Sequence, residues 1–182
     1  MFKTIWRKAF LLAVGFIILA SPAIGGTKTA GERIDDSTVS TRTKAALVEN
    51  KNVSAGDINV EVYKGTVQLS GFVDSGAKQA AALATAAQVE GATRVLDAIV
   101  IMPGSRTMGE TVDDKTIQTR LKTGLTKGEG FSSAVSINTD VWKGHVLLAG
   151  FVDSEEVKAA AGEVARAIPG VKEVHNLIAV QP

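Results

Sequence analysis

Few side chains in this sequence of 182 residues could carry out chemistry, and the two histidines come first among them. An imidazole acts as a general base or a metal ligand when a carboxylate, a serine or a second ligand lies nearby. His145 lies on the opposite side of its strand from Val146 and Leu148, and neither it nor His175 has such a partner at a spacing that indicates a site. We therefore interpret both as solvated surface histidines, and we predict no catalytic residue, no cofactor and no metal site.

Two other motifs look catalytic but have a structural explanation. Asp74 and Asp153 could form a pair of acids, yet each precedes a helical pattern, where an aspartate caps the helix N-terminus. The glycines of the Lys-Gly pairs fit neither glycine-rich template for phosphate binding. Because the sequence contains no cysteine, we expect no disulfide, no thiolate metal site and no lipid anchor on an N-terminal cysteine. The sequence therefore predicts a protein that is not an enzyme.

A repeat organises the chain. Residues 64–75 (KGTVQLSGFVDS) return as residues 143–154 (KGHVLLAGFVDS), so the chain contains two copies of one unit. A unit of roughly 70 residues buries only about 60% of its unfolded surface, so packing the copies together would stabilise both. The connection between the copies permits that contact without requiring it.

Each copy shows the same order of elements. A helical stripe follows Asp35-Asp36-Ser37 or Asp113-Asp114, which we interpret as helix caps. Two alternating strands joined by a Lys-Gly turn come next, then a second helix, capped in the second copy by Asp153 and Glu156, and a last strand. The predicted fold class is α+β, with two tandem αββαβ domains, each a three-stranded mixed sheet packed against two helices.

The N-terminal segment is typical of a secretory signal. Residues 1–25 combine a basic start with the apolar run AFLLAVGFIILA and small residues after Pro22, and cleavage after Ala23 or after Gly25 fits equally well. The alternative is an uncleaved anchor, but the apolar run is short for a membrane span, which needs about 20 residues.

The remaining boundaries follow from the repeat. We predict the following division: a flexible lead-in at 26–33, a first domain at 34–102, a linker at 103–112 and a second domain at 113–182. The first repeat carries a net charge of −2 and the second −1, so the basic excess lies in the N-terminal segment. Nucleic-acid binding needs a basic field, so these charges argue against it.

The hairpin motif resembles the BON domain (bacterial OsmY and nodulation). The pattern Gly-x-Val-x-Leu-x-Gly-x-Val occurs at 65–73 and 144–152, and the closing pattern of the family matches Gly170-Val171, Val174 and Asn176. The first copy departs from that closing pattern, with Asp97 in place of the asparagine. A signal peptide followed by two such domains is similar to the OsmY-like periplasmic type. The resemblance implies an α/β sandwich without catalysis, a role in osmotic or other envelope stress, and binding to anionic phospholipid surfaces or to envelope proteins, in some relatives as a chaperone.

The first helix of the second domain carries the strongest indication of binding. Basic residues flank its apolar stripe, and long basic side chains can reach anionic headgroups. The alternative is an ordinary amphipathic helix with a buried stripe and solvated charges. Trp142 and its counterpart Tyr63 face away from the buried side of their strands, and they either meet lipid or close the gap between the domains. The candidate lipid-binding residues are Lys115, Arg120, Lys122, Lys127, Phe131 and Trp142. The sequence does not predict the oligomeric state.

Overall fold

The computed structural model describes residues 30–127 and 136–181. The predicted signal segment at 1–25 and the candidate Phe131 lie outside the described residues. So does the part of the predicted lead-in that precedes residue 30.

The first unit contains two helices and a mixed three-stranded sheet. Its elements are α1 (Ala30–Glu49), β1 (Ile58–Tyr63), β2 (Thr66–Val73), α2 (Gly76–Ala86) and β3 (Arg94–Ile101), with a short 3-10 turn before β1. β1 pairs with β2 antiparallel, β3 pairs with β2 parallel, and the spatial order is β1-β2-β3. The parallel pairing follows from the helical crossover through α2.

The second unit repeats this arrangement with one change. Its elements are α3 (Met108–Lys127), β4 (Ser136–Trp142), β5 (His145–Val152), α4 (Glu155–Arg166), β6 (Glu173–Asn176) and β7 (Ala179–Val180). β4 is antiparallel to β5, and both β6 and β7 are parallel to it, so the predicted last strand is divided in two. The predicted α+β class with two αββαβ units is confirmed.

Each unit has its own hydrophobic core between its helices and one face of its sheet. In the first core Val67 and Leu69 of β2 are fully buried against α1 and α2. In the second core Val146 and Leu148 of β5 occupy the equivalent places beside Leu121 of α3. The period-2 alternation of these strands therefore puts one face of each sheet against its own helices.

The acidic pair at the start of each first helix does not cap it, so that interpretation was wrong. Asp114 lies within α3, several residues after its start, and its carboxylate accepts hydrogen bonds from the backbone N–H groups of Lys143 and Gly144, both at 2.8 Å. Asp36 does the same for the first turn, at 2.9 Å. Lys143 and Gly144 have φ of 51° and 83°, as a two-residue hairpin turn of the primed type requires. Each buried aspartate thus ties a helix to a hairpin.

The cap of α3 lies further upstream, in the predicted linker. The amide of Glu110 donates to Thr107 Oγ1 at 3.2 Å, and the amide of Thr107 donates to a carboxylate oxygen of Glu110 at 2.7 Å. This is a reciprocal capping box. Because α3 begins at Met108, the last five residues of the predicted linker at 103–112 are helical.

The predicted caps at Asp74 and Asp153 are wrong, because a serine occupies the N-cap position of each second helix, and only the serine of α4 forms a side-chain capping bond. Ser75 and Ser154 are the N-cap residues of α2 and α4, and the Ser154 hydroxyl accepts from the amide of Val157 at 3.3 Å. Asp74 instead forms an ion pair with Lys78 at 2.7 Å, which holds the pKa of the Asp74 carboxyl below its usual value.

The two units touch through the sheet faces that point away from their helices. Tyr63 stacks on Phe151 with ring centroids 5.5 Å apart, and Phe72 lies 6.4 Å from the Trp142 ring. Tyr63 and Trp142 therefore take part in packing between the domains, which is one of the two alternatives that the sequence left open.

At the centre of this contact a side chain of the first domain enters the sheet of the second. Gln68, which is 2% exposed, donates through Nε2 to the carbonyl of Leu177 at 2.8 Å, and its Oε1 accepts from the amide of Gly150. In the parallel register between β5 and the last strands, the Gly150 amide would otherwise donate directly to the Leu177 carbonyl. The Gln68 amide replaces this ladder bond, and its insertion accounts for the break between β6 and β7.

Candidate functional site: the outward face of α3

The apolar stripe of α3 is not available to a membrane. Ile117, Leu121 and Leu125 are buried in the core of the second unit. Of the two alternatives that the sequence left open, the structure shows the ordinary amphipathic helix with its stripe buried. The helix binds its own sheet through the stripe, and any contact with a surface must use the opposite side.

That opposite side carries both apolar and basic residues. Met108 is 88% exposed and Val112 is 62% exposed, and Lys115 and Lys122 are also exposed. Met108, Lys115 and Lys122 recur every seventh residue and Val112 lies four residues after Met108, so all four share one face. We call these four residues the outward face of α3.

Threonines occupy the spaces around the outward face. Their hydroxyls donate to backbone carbonyls one turn back within the helix, as for Thr119 to Lys115 at 2.9 Å and Thr126 to Lys122 at 3.0 Å. The three acidic residues of α3 do not share this face: Asp114 is buried at the hairpin, Glu110 is bound to Thr107, and the exposed Asp113 borders a groove on another side of the helix. The charged side chains of the outward face itself are therefore its two lysines.

The structure separates the other predicted lipid-binding residues from this face. Arg120 is exposed, but it borders a groove on another side of α3, and Phe131 lies outside the described residues, as does the Lys127 side chain. Trp142 lies in the contact between the domains, with the Arg106 guanidinium 4.2 Å from its ring centroid. Trp142 therefore does not belong to the outward face of α3.

The groove beside Arg120 has an equivalent in the first unit. It encloses about 410 Å³ against about 470 Å³ for the groove around Asp36 and Arg42. Two of the three carboxylates that line it are engaged in the fold: Asp114 holds the hairpin turn, and the hydrogen bond from the Thr107 amide holds the pKa of Glu110 below its usual value. This groove is therefore the place where the helix is hydrogen-bonded to the hairpin turn.

The two histidines lie side by side, contrary to the prediction from the sequence. Their rings stack with centroids 5.9 Å apart on the face of the second sheet that meets the first domain. Each side chain is 24% exposed, and Glu173 lies beside both. The interpretation as separate, solvated histidines was wrong. A parallel alignment of the last strand with the returning hairpin strand would have placed Glu173 opposite His145.

Within residues 30–127 and 136–181, none of the helices combines the length and the apolar character needed to cross a membrane.

Comparison with known proteins identifies the family. The family model described as the BON domain matches residues 35–103 and again residues 113–182. Osmotically-inducible protein Y of Escherichia coli (strain K12) is 33% identical over 151 residues, which cover 80% of this chain and 73% of that protein. Outer membrane lipoprotein DolP of Haemophilus influenzae is 32% identical over 77 residues, covering 42% of this chain and 40% of that protein.

One solved structure similar to this chain is the C-terminal domain of CdsD, a structural protein of the Type III secretion system of Chlamydia trachomatis. The match covers 81% of this chain and 67% of the CdsD chain. Its TM-score is 0.32 and its identity 17%, so this likeness carries no argument. The family matches cover most of the chain and confirm the resemblance of the hairpin motif. The chain belongs to the BON domain family and contains two copies of that domain.

Proposed function

We propose that this chain is a non-enzymatic periplasmic protein of the osmotic or envelope-stress response that binds anionic phospholipid surfaces weakly. The family, the name of the relative described as osmotically inducible and the signal-like segment at 1–25 support the compartment and the response. The observation that carries the lipid contact is the outward face of α3, where exposed Met108 and Val112 adjoin Lys115 and Lys122.

Two weak interactions, electrostatic attraction and the burial of apolar side chains, add up in this contact. A lysine close to an anionic membrane contributes about 1 kcal/mol, and small exposed apolar side chains at the interface add to that. Two lysines and two apolar residues give reversible, peripheral binding. Ions screen charges beyond about 10 Å at 0.1 M salt, so binding weakens as the salt concentration rises.

Flotation with liposomes tests this proposal. The protein is expressed with its own N-terminal segment and recovered from the periplasmic fraction, and mass spectrometry then reports where that segment was cleaved. We expect flotation with vesicles that contain anionic lipid, weaker at physiological than at low salt, and little flotation with purely zwitterionic vesicles. Equal flotation with both vesicle types, or none at either salt concentration, would contradict the proposal.

A pair of double variants assigns the surface. Lys115→Gln with Lys122→Gln should lower the partition coefficient about 30-fold, since about 2 kcal/mol is lost. Lys44→Gln with Lys51→Gln removes the same charge from exposed positions of the first unit and should change the partition coefficient by less than about three-fold. If both double variants weaken binding equally, net charge and not the outward face of α3 is responsible.

The alternative function is a chaperone-like or protein-binding module for envelope proteins. It is favoured by the strand order of the first sheet, which makes β1 and β3 edge strands with outward-facing peptide groups. An edge strand can accept a strand from a partner. Suppression of the aggregation of a denatured outer-membrane protein, measured by light scattering without lipid, would support this alternative if liposome binding is absent.

A further inference from the structure

We propose that His145, Glu173 and His175 form a binding site for a divalent transition-metal ion, and that Zn²⁺ suits the site well. Two imidazole nitrogens and a carboxylate form a donor set that proteins use for zinc. The site lies at the junction of the two domains, on the second sheet, and it is separate from the proposed lipid surface on α3.

The sheet itself brings the three ligands together. His145 of β5 pairs directly with Glu173 of β6, and His175 follows Glu173 by two residues. Alternate residues of a strand point to the same face, so all three side chains project from one side of the sheet. Two adjacent strands of regular structure hold the ligands, and regular elements position ligands better than a loop does.

The distances between the ligand atoms fit a shared ion. His145 Nδ1 lies 3.2 Å from one carboxylate oxygen of Glu173, and His175 Nε2 lies 3.9 Å from the other. One ligand atom from each residue lies within 4.8 Å of the others. Zinc bonds of about 2.0–2.2 Å in tetrahedral geometry place ligand atoms about 3.4 Å apart, so small side-chain rotations suffice.

The two nitrogens that face Glu173 are otherwise unused. Nδ1 of His145 and Nε2 of His175 are buried, and neither has a hydrogen-bond partner among the described residues. Buried polar atoms normally find such a partner, and a bound ion satisfies them where the protein does not. Apart from their contacts with Glu173 the two nitrogens have no partner among the described residues, which points to an ion held by all three side chains.

The site belongs to the second copy alone. The equivalent residues of the first sheet are Thr66, Arg94 and Leu96, which occupy the same register. This set offers no imidazole and no carboxylate, and the arginine would repel a cation. The first repeat therefore suggests which residues can replace the two histidines, because Thr66 and Leu96 already occupy the equivalent backbone positions.

The ion would also act on the contact between the domains. Phe72 of the first domain packs edge-on against the His175 ring, with centroids 6.4 Å apart. A metal ion that holds His175 in place orders the surface on which Phe72 rests. Three protein ligands leave one tetrahedral position for water or another small ligand.

Isothermal titration of the secreted protein, purified without a polyhistidine tag, tests the site with ZnCl₂ as the probe. We expect one equivalent of Zn²⁺ to bind and to raise the unfolding midpoint. Glu173→Gln changes an exposed side chain and leaves the fold intact, yet it should weaken Zn²⁺ binding by at least about ten-fold, the loss that even a change outside the ligand set causes.

Two further measurements distinguish this site from adventitious binding. His145→Thr and His175→Leu introduce the residues of the first repeat and should each weaken binding by at least about ten-fold, whereas Glu155→Gln, at an exposed position on α4, should not. Co²⁺ should give the visible absorption of a four-coordinate ion. The proposal is overturned if no Zn²⁺ binds below about 1 mM, or if Glu173→Gln binds as tightly as the unchanged protein.

Discussion

Replacing Gln68 by glutamate tests the link between the two domains, because it keeps the shape of the side chain and removes one proton donor. The carboxylate of Gln68→Glu can still accept from the Gly150 amide. It has nothing to donate to the Leu177 carbonyl, which accepts from Gln68 at 2.8 Å in the unchanged protein. An oxygen would then face an oxygen in a place from which water is excluded.

The magnitude follows from the burial. A carboxyl at a site 2% exposed to solvent has its pKa raised, because burial disfavours the charged form and only the protonated form can donate to the Leu177 carbonyl. The ionised carboxylate leaves a buried charge and a buried carbonyl without a donor between them, so Gln68→Glu should lower the free energy of unfolding at pH 7 by about 3 kcal/mol. If the two domains separate before they unfold, the destabilisation cannot exceed the free energy of the contact between them. The radius of gyration then rises.

The pH dependence identifies the cause. Below the unfolded pKa of glutamate, about 4.3, the group is protonated in both states and can donate to Leu177, so the penalty is absent. As the pH rises through the raised folded pKa the stability is lost. Urea unfolding of the variant and the unchanged protein at pH 4 and pH 7, with small-angle scattering at both, measures this difference.

Gln88→Glu is the matched control, because it makes the same chemical change at an exposed position and should shift stability by less than about 0.5 kcal/mol. The reasoning fails if Gln68→Glu behaves like this control at pH 7. It fails equally if the variant loses the same free energy at pH 4 as at pH 7, since that would indicate packing and not charge.

Two further substitutions test carboxylates of the second domain. Asp114→Ala should lower the free energy of unfolding by about 2–4 kcal/mol, because two charged hydrogen bonds to the hairpin turn are lost and water from the groove replaces them only in part; a loss under 0.5 kcal/mol in urea unfolding would contradict this. Burial raises the pKa of the Asp140 carboxyl, so Asp140→Asn should stabilise the protein at pH 7 and lose that advantage below about pH 4, as thermal unfolding at both pH values would show.

Local patterns were sufficient for the architecture. The alternation of Val67 and Leu69 and the Lys-Gly turns predict the hairpins, because side-chain period and turn conformation depend on adjacent residues. The helical wheel also places Lys115 and Lys122 on a solvent-facing side of α3. The cap at Thr107 and Glu110 was present as a local signature that the prediction overlooked, since the two acids further along offered a competing start.

Contacts between distant residues could not be predicted in this way. Asp114 is a residue type that is common at helix caps. Its hydrogen bonds to the turn of Lys143 and Gly144 depend on how α3 packs on the hairpin, which the sequence does not show. Trp142 alternates out of phase with the core, which suits a lipid surface and a domain contact equally. The distinction depends on where the other domain lies.

The sequence by itself determined two copies of a helix–hairpin–helix–strand unit, their cores and their family, because those properties are encoded in short-range periodicity and repeated motifs. Only the tertiary structure decided that Gln68 enters the ladder between Gly150 and Leu177, and that His145 and His175 meet across Glu173. The physical reason is that hydrogen bonds and ligand sets form between atoms that are close in space, and strand register and domain docking, not chain distance, bring those atoms together.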